Sequence, residues 1–320
     1  MVDLSVIIVN WNTRELLAIC LESVASSANL EIAAEATRNT AAPENFTAET
    51  WVVDNVSTDG SAQMVQKCFP WVNLIENRQN VGFAGANNQA ICQSTGHYVL
   101  FLNPDTEVKP DALETLIRFL EKHPQAGAVG PHTLNGDGTL QTSCYPVPTL
   151  ARELWRLFHL DALHAYGTYS MKTWVLDQPR QVDALLGACL LVRREVLDQI
   201  GLLDEQYFIY SEEIDLCYRI QKAGWKLYWV PEAKIIHYGG QSTQQVRTKM
   251  FLQLYRSKLL FFRKHYGWLA AQIYKLIILF AALGRILVSP VAWLGNSDRR
   301  KKQRDLAIAY LRLVKALPGL

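Results

Sequence analysis

No CxxC pair occurs in this sequence. The six cysteines (Cys20, Cys68, Cys92, Cys144, Cys189 and Cys217) are scattered along 320 residues. Their spacing excludes a zinc ribbon and a disulfide framework, and reads as small core residues in a reducing compartment. Charge of one sign is missing too. The 32 Lys and Arg residues face 30 Asp and Glu, for a net charge of +2, so no overall field calls for a nucleic-acid partner. The N-terminus shows no basic region followed by a cleavage site. Its apolar run, residues 4–9 (LSVIIV), is too short for a signal peptide and reads as the first strand of a protein on the cytosolic side. No GxGxxG follows that strand, which disfavours a dinucleotide-binding dehydrogenase. An unbroken membrane span is absent as well. Lys275 and Arg285 leave nine residues between them, short of the ~20 needed to cross a bilayer.

What is present is a series of short apolar runs that end in polar turns. The clearest is residues 98–106 (YVLFLNPDT). A continuous apolar run of this length suits a strand buried on both faces of a mostly parallel sheet. Pro104 ends the ladder. Asp105 then lies beyond the carboxyl end of the strand, where open α/β sheets bind ligands. Two jobs are open to that carboxylate: capping the helix that starts after Lys109-Pro110-Asp111, or holding a divalent metal against a phosphate. The same form recurs. Residues 4–9 lead into Asn10-Trp11-Asn12-Thr13, with Thr13 placed to cap a helix over residues 14–25. Residues 28–50 are polar and weakly patterned, and read as a surface insertion. Residues 51–53 form a strand that ends in Asp54 and the turn NVSTDGS, where Ser57 and Asp59 can satisfy their own turn and the next helix. Residues 72–75 form a third strand. The segment NRQNVGFAGANN after it opens a helix whose glycines allow close backbone approach and whose dipole favours anions.

In the second half, residues 126–131 read as a strand, and Asn135-Gly136-Asp137-Gly138 as a hairpin turn. Residues 151–163 are apolar and aromatic, and helical in pattern. Residues 182–192 read as one long apolar strand centred on Gly187-Ala188-Cys189, where small residues leave room for a ligand or another backbone. Ser211 is placed to cap a helix whose first turn holds Glu212 and Glu213, a position the dipole favours. Adjacent glutamates cannot share one face, so at most one points into a cleft. Residues 226–230 and 234–238 are the last strands. His237 sits near the end of the second, where a lone histidine is ordinarily structural. Trp225 and Tyr228 read as core.

The strings VVDNVSTDGS, NVGFAGANN, FLNPDTEV, GACLLVRREV, GLLDEQYFIYSEEIDLCYRIQKAGW and VPEAKIIHYGGQS occur in this order. Together they resemble family 2 inverting glycosyltransferases with the GT-A fold, in particular the rhamnosyltransferase-like branch, over residues 4–243. The resemblance implies an α/β fold with a mostly parallel central sheet flanked by helices, spanning residues 1–245. It places Asn103-Pro104-Asp105 at the family's DxD position, with Asn in place of the first Asp. Asp105 is then the metal ligand, Asn103 a sugar or ribose contact, and His237 the histidine completing the site for Mg²⁺ or Mn²⁺. Asp54 with the turn after Val9, Asn10 and Asn12 included, matches the base- and ribose-binding edge. Asn80 and Gly82 match the loop beside the nucleotide and sugar. Glu212-Glu213 matches a Glu-Asp pair whose second member is the catalytic base, which points to Glu213. Glu stands there in place of the more usual Asp, so Glu212 stays a second candidate.

The chemistry makes matching demands. A diphosphate leaving group needs a hard cation with oxygen ligands. Inversion needs one base to deprotonate the acceptor hydroxyl, and no second, nucleophilic carboxylate. Asp204 and Asp215 are left for loop order and support. The expected donor is dTDP-rhamnose by branch resemblance, with a UDP-hexose or UDP-galactofuranose as the enzyme alternative. The expected acceptor is a glycan or lipid-linked sugar. A non-catalytic membrane-bound subunit is the rival from another class, and it predicts loss of Asp105, Glu213 or His237, all of which are present.

After Val246 the composition changes. Residues 250–264 give an apolar helix with Arg256, Lys258, Arg263 and Lys264 interspersed. Residues 268–293 are strongly apolar, and at roughly 100° per residue Lys264, Lys275 and Arg285 fall in one arc. The basic run RRKKQR at 299–304 suits anionic lipids. Residues 246–320 are therefore expected as interfacial helices on the cytoplasmic leaflet, with a helical pair packed on the catalytic domain or in a dimer as the alternative. Oligomeric state is not legible.

Overall fold

The computed structural model describes residues 2–32, 45–288 and 297–320. In chain order the elements begin with β1 (Leu4–Asn10), α1 (Arg14–Ala25), β2 (Leu30–Ile32), β3 (Phe46–Asp54), α2 (Ser61–Cys68), β4 (Asn73–Glu76), α3 (Gly82–Ile91) and β5 (Tyr98–Leu102). There follow β6 (Thr106–Val108), α4 (Ala112–Lys122), β7 (Ala126–Leu134), β8 (Cys144–Tyr145), α5 (Leu150–Leu157), β9 (Arg180–Val182), β10 (Ala184–Leu185) and β11 (Cys189–Arg193). The chain closes with α6 (Arg194–Ile200), α7 (Glu212–Lys222), β12 (Lys226–His237), α8 (Gln241–Gln244), α9 (Arg247–Val288) and α10 (Ser297–Ala316).

By contacts the chain divides into two compact units: residues 1–147, 170–208 and 212–245, and residues 148–169, 209–211 and 246–320. The first holds a sheet in the order β2-β3-β1-β5-β11-β7-β12-β6, with β4 on β3 and β9 on β12. Strands β1, β3, β4 and β5 are mutually parallel, and β12 is parallel to β7. Strand β11 runs antiparallel between β5 and β7. Every residue of β1 is buried, as its unbroken apolar run demands of a strand covered on both faces. Leu4, Val6 and Ile8 pack with Leu17, Leu21 and Val24 of α1 and with Leu113, Leu116 and Ile117 of α4.

Register fixes the working edge. Asn10 pairs with Asp54 at the ends of β1 and β3. Ile8 pairs with Leu102, and Cys189 of β11 pairs with Leu102 from the other side. His237 pairs with Thr106 across β12 and β6. The ends of β1, β3, β5 and β12 therefore meet the same margin of the sheet.

Several local expectations need correction. The expected 182–192 strand is three short strands, because each piece finds a different partner: β9 pairs β12, β10 pairs β8, and β11 pairs β5 and β7. The two expected last strands are one, β12, with a register shift between Val230 and Lys234. Strand β3 begins at Phe46, and β2 pairs with its first residues. Both fall in the stretch read as an insertion, of which residues 33–44 lie outside the described residues. Thr13 Oγ1 does not cap α1 but donates to Asn10 Oδ1 at 2.7 Å. Asp59 caps it, accepting from the Arg14 N–H at 2.9 Å. Ser211 has φ 68°, outside the extended region of an N-cap. All six cysteines are free, and Cys68 and Cys92 are exposed rather than core.

The second unit is helical, and α9 is two helices in one: Gly267 has φ 89° and ψ 173° inside it. The break separates Lys264 from Lys275 and Arg285, so the expected common arc of the three does not hold. Arg285 turns inward instead, donating to the Leu157 carbonyl and lying 5.2 Å over the Tyr310 ring. The core here is Tyr255, Leu259, Phe262, Tyr274, Ile278 and Leu313, among others. Within it sits one carboxylate, Glu153. It accepts from Lys258 at 2.8 Å, Arg156 at 2.7 Å and the Tyr274 hydroxyl at 2.8 Å. Burial alone would raise its pKa, but the cations of Lys258 and Arg156 together outweigh that and hold it at about 2. The basic run at 299–304 is helical in backbone, and the side chains of 299–303 lie outside the described residues.

A depressed carboxyl stabilises the fold above its unfolded pKa, and that gain is lost as pH falls through the folded value. Stability of this unit should therefore decline between pH 4.5 and 2. Glu153→Ala, which strands two partly buried cations, should cost about 3 kcal/mol in denaturant unfolding. An unchanged midpoint would show the network to be idle.

Candidate functional site

Three groups of side chains meet the sheet margin. The first is at the ends of β1 and β3. Asn10 Nδ2 donates to Asp54 Oδ1 and to Ser57 Oγ, both at 3.0 Å. Asp54 Oδ2 accepts the Ser57 N–H at 2.9 Å. The Asn12 N–H donates to Ser57 Oγ at 2.9 Å, and Asn12 Oδ1 accepts from the Thr58 N–H at 2.7 Å. The two turns are thus stitched into one platform. Asn12 and Val56 sit at φ 53° and 67°, a region a β-branched residue enters only under strain. Val9 is buried one residue before the platform. Asn55, which the sequence reading did not single out, carries the platform onward. Its amide donates to the Gly82 carbonyl at 3.1 Å and its oxygen accepts from Asn77 at 3.0 Å.

Asn80 and Gly82 lie in that loop. Asn80 is exposed, and its Oδ1 accepts the Gly82 N–H at 2.9 Å. Gly82 has φ 82°, and a Cβ there would meet the Phe208 carbonyl at 2.6 Å. The close approach that the glycine permits is to the protein's own backbone.

The second group is Asn103, Asp105 and His237. Asp105 does not cap α4, whose N-cap is Asp111. His237 Nε2 lies 3.3 Å from Asp105 Oδ1 and 3.3 Å from Asn103 Nδ2. Both Asp105 and His237 are buried, at 5% and 7% exposure. The backbones are locked as well, since the Tyr238 N–H donates to the Asp105 carbonyl at 2.9 Å. On the far side of the ring, Nδ1 lies 2.7 Å from Gln141 Oε1. Among the described residues no three His, Cys, Asp or Glu side chains cluster as a metal cage. A hard cation bound through phosphates needs few protein ligands. One carboxylate oxygen and one imidazole nitrogen fit it, since cis ligands at about 2.1 Å lie roughly 3 Å apart.

The third group opens α7. Glu212 is buried, and its Oε2 makes no hydrogen bond. Burial, and then the charge of Glu213, raises the Glu212 pKa well above the usual carboxylate range. Like charges this close disfavour ionisation of both carboxyls together. Glu213 is the less buried of the two. Burial and then the Glu213 charge push the Tyr145 phenol up to about 12, which places that ring in the Glu213 field. A Cβ on Gly187 would meet Glu213 Cβ at 3.3 Å. The small residue expected to admit a ligand or a backbone admits this side chain. Next to it, the Ala188 carbonyl accepts the Asn103 N–H at 2.9 Å, so the Glu213 neighbourhood and the Asn103–Asp105 turn share one short segment. Asp215 holds Arg219 at 2.8 Å, and Arg219 gathers the carbonyls of Ile200, Gly201 and Leu202, the loop-ordering part expected of that aspartate. Asp204 accepts from the Gln206 N–H within its own turn. Tyr228 packs on the core beside Phe119, and Trp225 is half-buried with its N–H on Gln199.

Comparison with known proteins shows the family and the fold. The family model described as glycosyl transferase family 2 matches residues 5–201. An N-acetylglucosaminyl-diphospho-decaprenol L-rhamnosyltransferase of Mycobacterium tuberculosis is 29% identical over 279 residues, covering 80% of this chain and 87% of that protein. The rhamnosyltransferase WbbL of Escherichia coli is 29% identical over 180 residues, covering 53% of this chain and 66% of that protein. Among solved structures, the mannosyltransferase PcManGT of Pyrobaculum calidifontis, in complex with GDP-Man and Mn²⁺, superposes with a TM-score of 0.56 at 17% identity. The match covers 98% of this chain and 89% of that one. The fold is GT-A, as the sheet order and the helical cover indicate.

Gly187→Ala should lower stability by about 1–3 kcal/mol, the usual cost of overpacking, and shift Glu213. Thermal unfolding together with a crystal structure of the variant checks both. An unshifted Glu213 at wild-type stability would remove Gly187 from the site.

Proposed function

Because this chain belongs to glycosyl transferase family 2, we propose that its nucleotide-sugar transfer is an inverting, metal-assisted displacement at the sheet margin, with rhamnose from dTDP-rhamnose as the donor sugar. The observation that carries the metal half is the Asp105–His237 pair, buried and facing at 3.3 Å. The rhamnosyl assignment draws on the two rhamnosyltransferase relatives. The decaprenol-linked substrate in the first relative's name supports a lipid-linked sugar as acceptor.

In this reading Asn10, Asn12 and Asp54 form the platform for the base and ribose, and Val9, Asn80 and Gly82 border it. Asn103 orients the ribose or sugar. Asp105 Oδ1 and His237 Nε2 would hold a Mg²⁺ or Mn²⁺ ion, which supplies charge neutralisation on the departing diphosphate. Glu213 takes the proton of the acceptor hydroxyl as its oxygen bonds to the anomeric carbon. The bond from that carbon to the diphosphate oxygen breaks at the same time, and the nucleoside diphosphate leaves. Glu212, whose pKa is raised by burial and by the Glu213 charge, disfavours a second negative charge beside the incoming hydroxyl. Calorimetry with dTDP, UDP and GDP, each with and without Mn²⁺, tests the donor half. One nucleotide should bind in a metal-dependent way, and Asp105→Ala should abolish that dependence. Glu213→Gln should retain nucleotide binding while turnover falls about 10²–10⁴-fold. Folded protein that binds none of the three nucleotides would remove this mechanism.

The second unit offers the membrane contact. Leu269, Ile273, Leu276, Phe280, Leu283 and Leu287 are exposed at 40–76% and recur every three or four residues. They form one apolar stripe of α9, beside exposed Trp268. The opposite face, Tyr274, Ile278 and Ala282, is packed in the unit's own core. By length and composition this helix could cross a bilayer, but one packed face and one bare face suit a helix lying in the interface. In flotation with phosphatidylglycerol vesicles the wild type should rise with lipid, and Leu276→Asp/Phe280→Asp should not, at unchanged thermal stability. A double variant that still floats would displace the stripe from this role. Dissociation of a wild-type dimer by the same variant would assign the stripe to self-association.

A further inference from the structure

His237 is one end of a chain of hydrogen bonds whose other end decides which ring nitrogen carries the proton. We propose that Gln141 is a positioning residue for His237: its side-chain oxygen holds the ring as the Nδ1–H tautomer, so that the Nε2 lone pair faces Asp105 and is ready for a divalent cation. This rests on the reading of Asp105 and His237 as a metal pair.

The argument runs from the hairpin inward. Asn135 Nδ2 donates to Thr139 Oγ1 at 2.9 Å and is also in reach of the Leu140 carbonyl. That fixes Asn135 Oδ1 as an acceptor. Gln141 Nε2 donates to it at 2.8 Å and to the His237 carbonyl at 3.1 Å. Both amide protons of Gln141 are thereby spent on oxygens, so the atom left facing the ring is Oε1. A flipped amide would set its oxygen against two other oxygens. Oε1 accepts only, and it lies 2.7 Å from His237 Nδ1. The proton of the neutral ring therefore sits on Nδ1. Nε2 is then an acceptor 3.3 Å from an anionic carboxylate oxygen. Two acceptors at that distance repel unless a cation lies between them. Asn103 Nδ2, 3.3 Å from the same nitrogen, and the Gln241 N–H, 3.4 Å from Asp105 Oδ2, are donors placed to ease the pair without it.

Gln141 is itself held rigidly. Its N–H donates to the Thr133 carbonyl at 2.9 Å, and Leu134 bridges Leu140 across the turn. A Cβ on Gly136 would come within 3.1 Å of the Tyr238 ring, so the hairpin is seated directly on the strand end that presents His237. Without Gln141 the ring is free to take the Nε2–H tautomer and donate to Asp105, which closes the site to a metal. Partners that orient a ligating histidine are worth roughly 10–100-fold in metal affinity.

The test uses the full chain. Nitrogen-15 spectra of the His237 ring, assigned with His237→Ala and taken metal-free in buffer alkaline enough to leave the ring neutral, should show Nδ1 protonated in the wild type. Gln141→Met, close in shape but unable to accept the proton, should shift the ring toward Nε2–H. It should also weaken Mn²⁺ binding, read by electron paramagnetic resonance with dTDP present, by roughly 10–100-fold. A wild-type ring that, when neutral, carries its proton on Nε2 overturns the proposal without recourse to any variant. A folded Gln141→Met with the wild-type tautomer and wild-type Mn²⁺ affinity overturns the proposal. Wild type that takes up no Mn²⁺ overturns the metal reading and this proposal with it, while wild type that binds Mn²⁺ separates the two.

Discussion

The site depends on a pairing three residues long. Strand β6, Thr106–Val108, runs antiparallel to the end of β12 and sets His237 opposite Thr106. Without that pairing Asp105 and His237 would be separated by 132 positions of chain with nothing to join them. With it, the two residues just beyond the paired ends are also tied, Tyr238 N–H to the Asp105 carbonyl. The acid and the imidazole are then held by backbone ladders rather than by their own contact. That matters for the proposed cation pair, because two ligands that repel one another in the free protein could stay in place only if the scaffold held them.

A second short segment does comparable work from below. Leu186 donates its N–H to the Ser143 carbonyl, Gly187 lies against Glu213, and Ala188 receives the Asn103 N–H. Three consecutive residues thus touch the acidic pair's neighbourhood on one side and the Asn103 turn on the other. Had this stretch been the single regular strand that its apolar run implies, its backbone groups would be committed to one ladder. Broken into β9, β10 and β11, it serves three partners. The irregularity therefore belongs to how the site is assembled.

The strand ends were legible because apolar runs followed by Asn, Asp and Pro mark where a buried strand leaves the sheet. Asn10, Asp54 and Asp105 all stand where that rule puts them. The rule fails where a sequence cannot name a partner. Thr-Glu-Val at β6 carries no pattern of its own and is a strand only because β12 lies beside it. The 182–192 run looks uniform because burial sets its composition, whichever strand it pairs with. Thr13 looks like a cap, and Asp59, 46 positions later, takes the job because the Asn10 platform has already claimed the Thr13 hydroxyl. Gln141 gave no signal at all, since a glutamine after a hairpin is ordinary until its far contact is seen. The common arc drawn through Lys264, Lys275 and Arg285 failed for a local reason: Gly267 leaves the helical region and resets the phase.

Backbone strain marks the same places from another direction. Asn12 and Val56 take positive φ in the two turns that build the platform, and Tyr210 and Ser211, at φ 70° and 68°, immediately precede Glu212 in the chain. Left-handed conformations at non-glycine residues cost on the order of 1–3 kcal/mol each and persist where the surroundings over-determine them. At Val56 the surroundings are visible: Asp54 and Ser57 bond across it, and Ser57 bonds on to Asn10 and Asn12. A relaxed turn would release Ser57 and with it the link between β1 and β3. The strain is therefore the cost of joining two strand ends into one surface. The nucleotide platform and fixed carboxylate proposed for this margin give the chain reason to keep it.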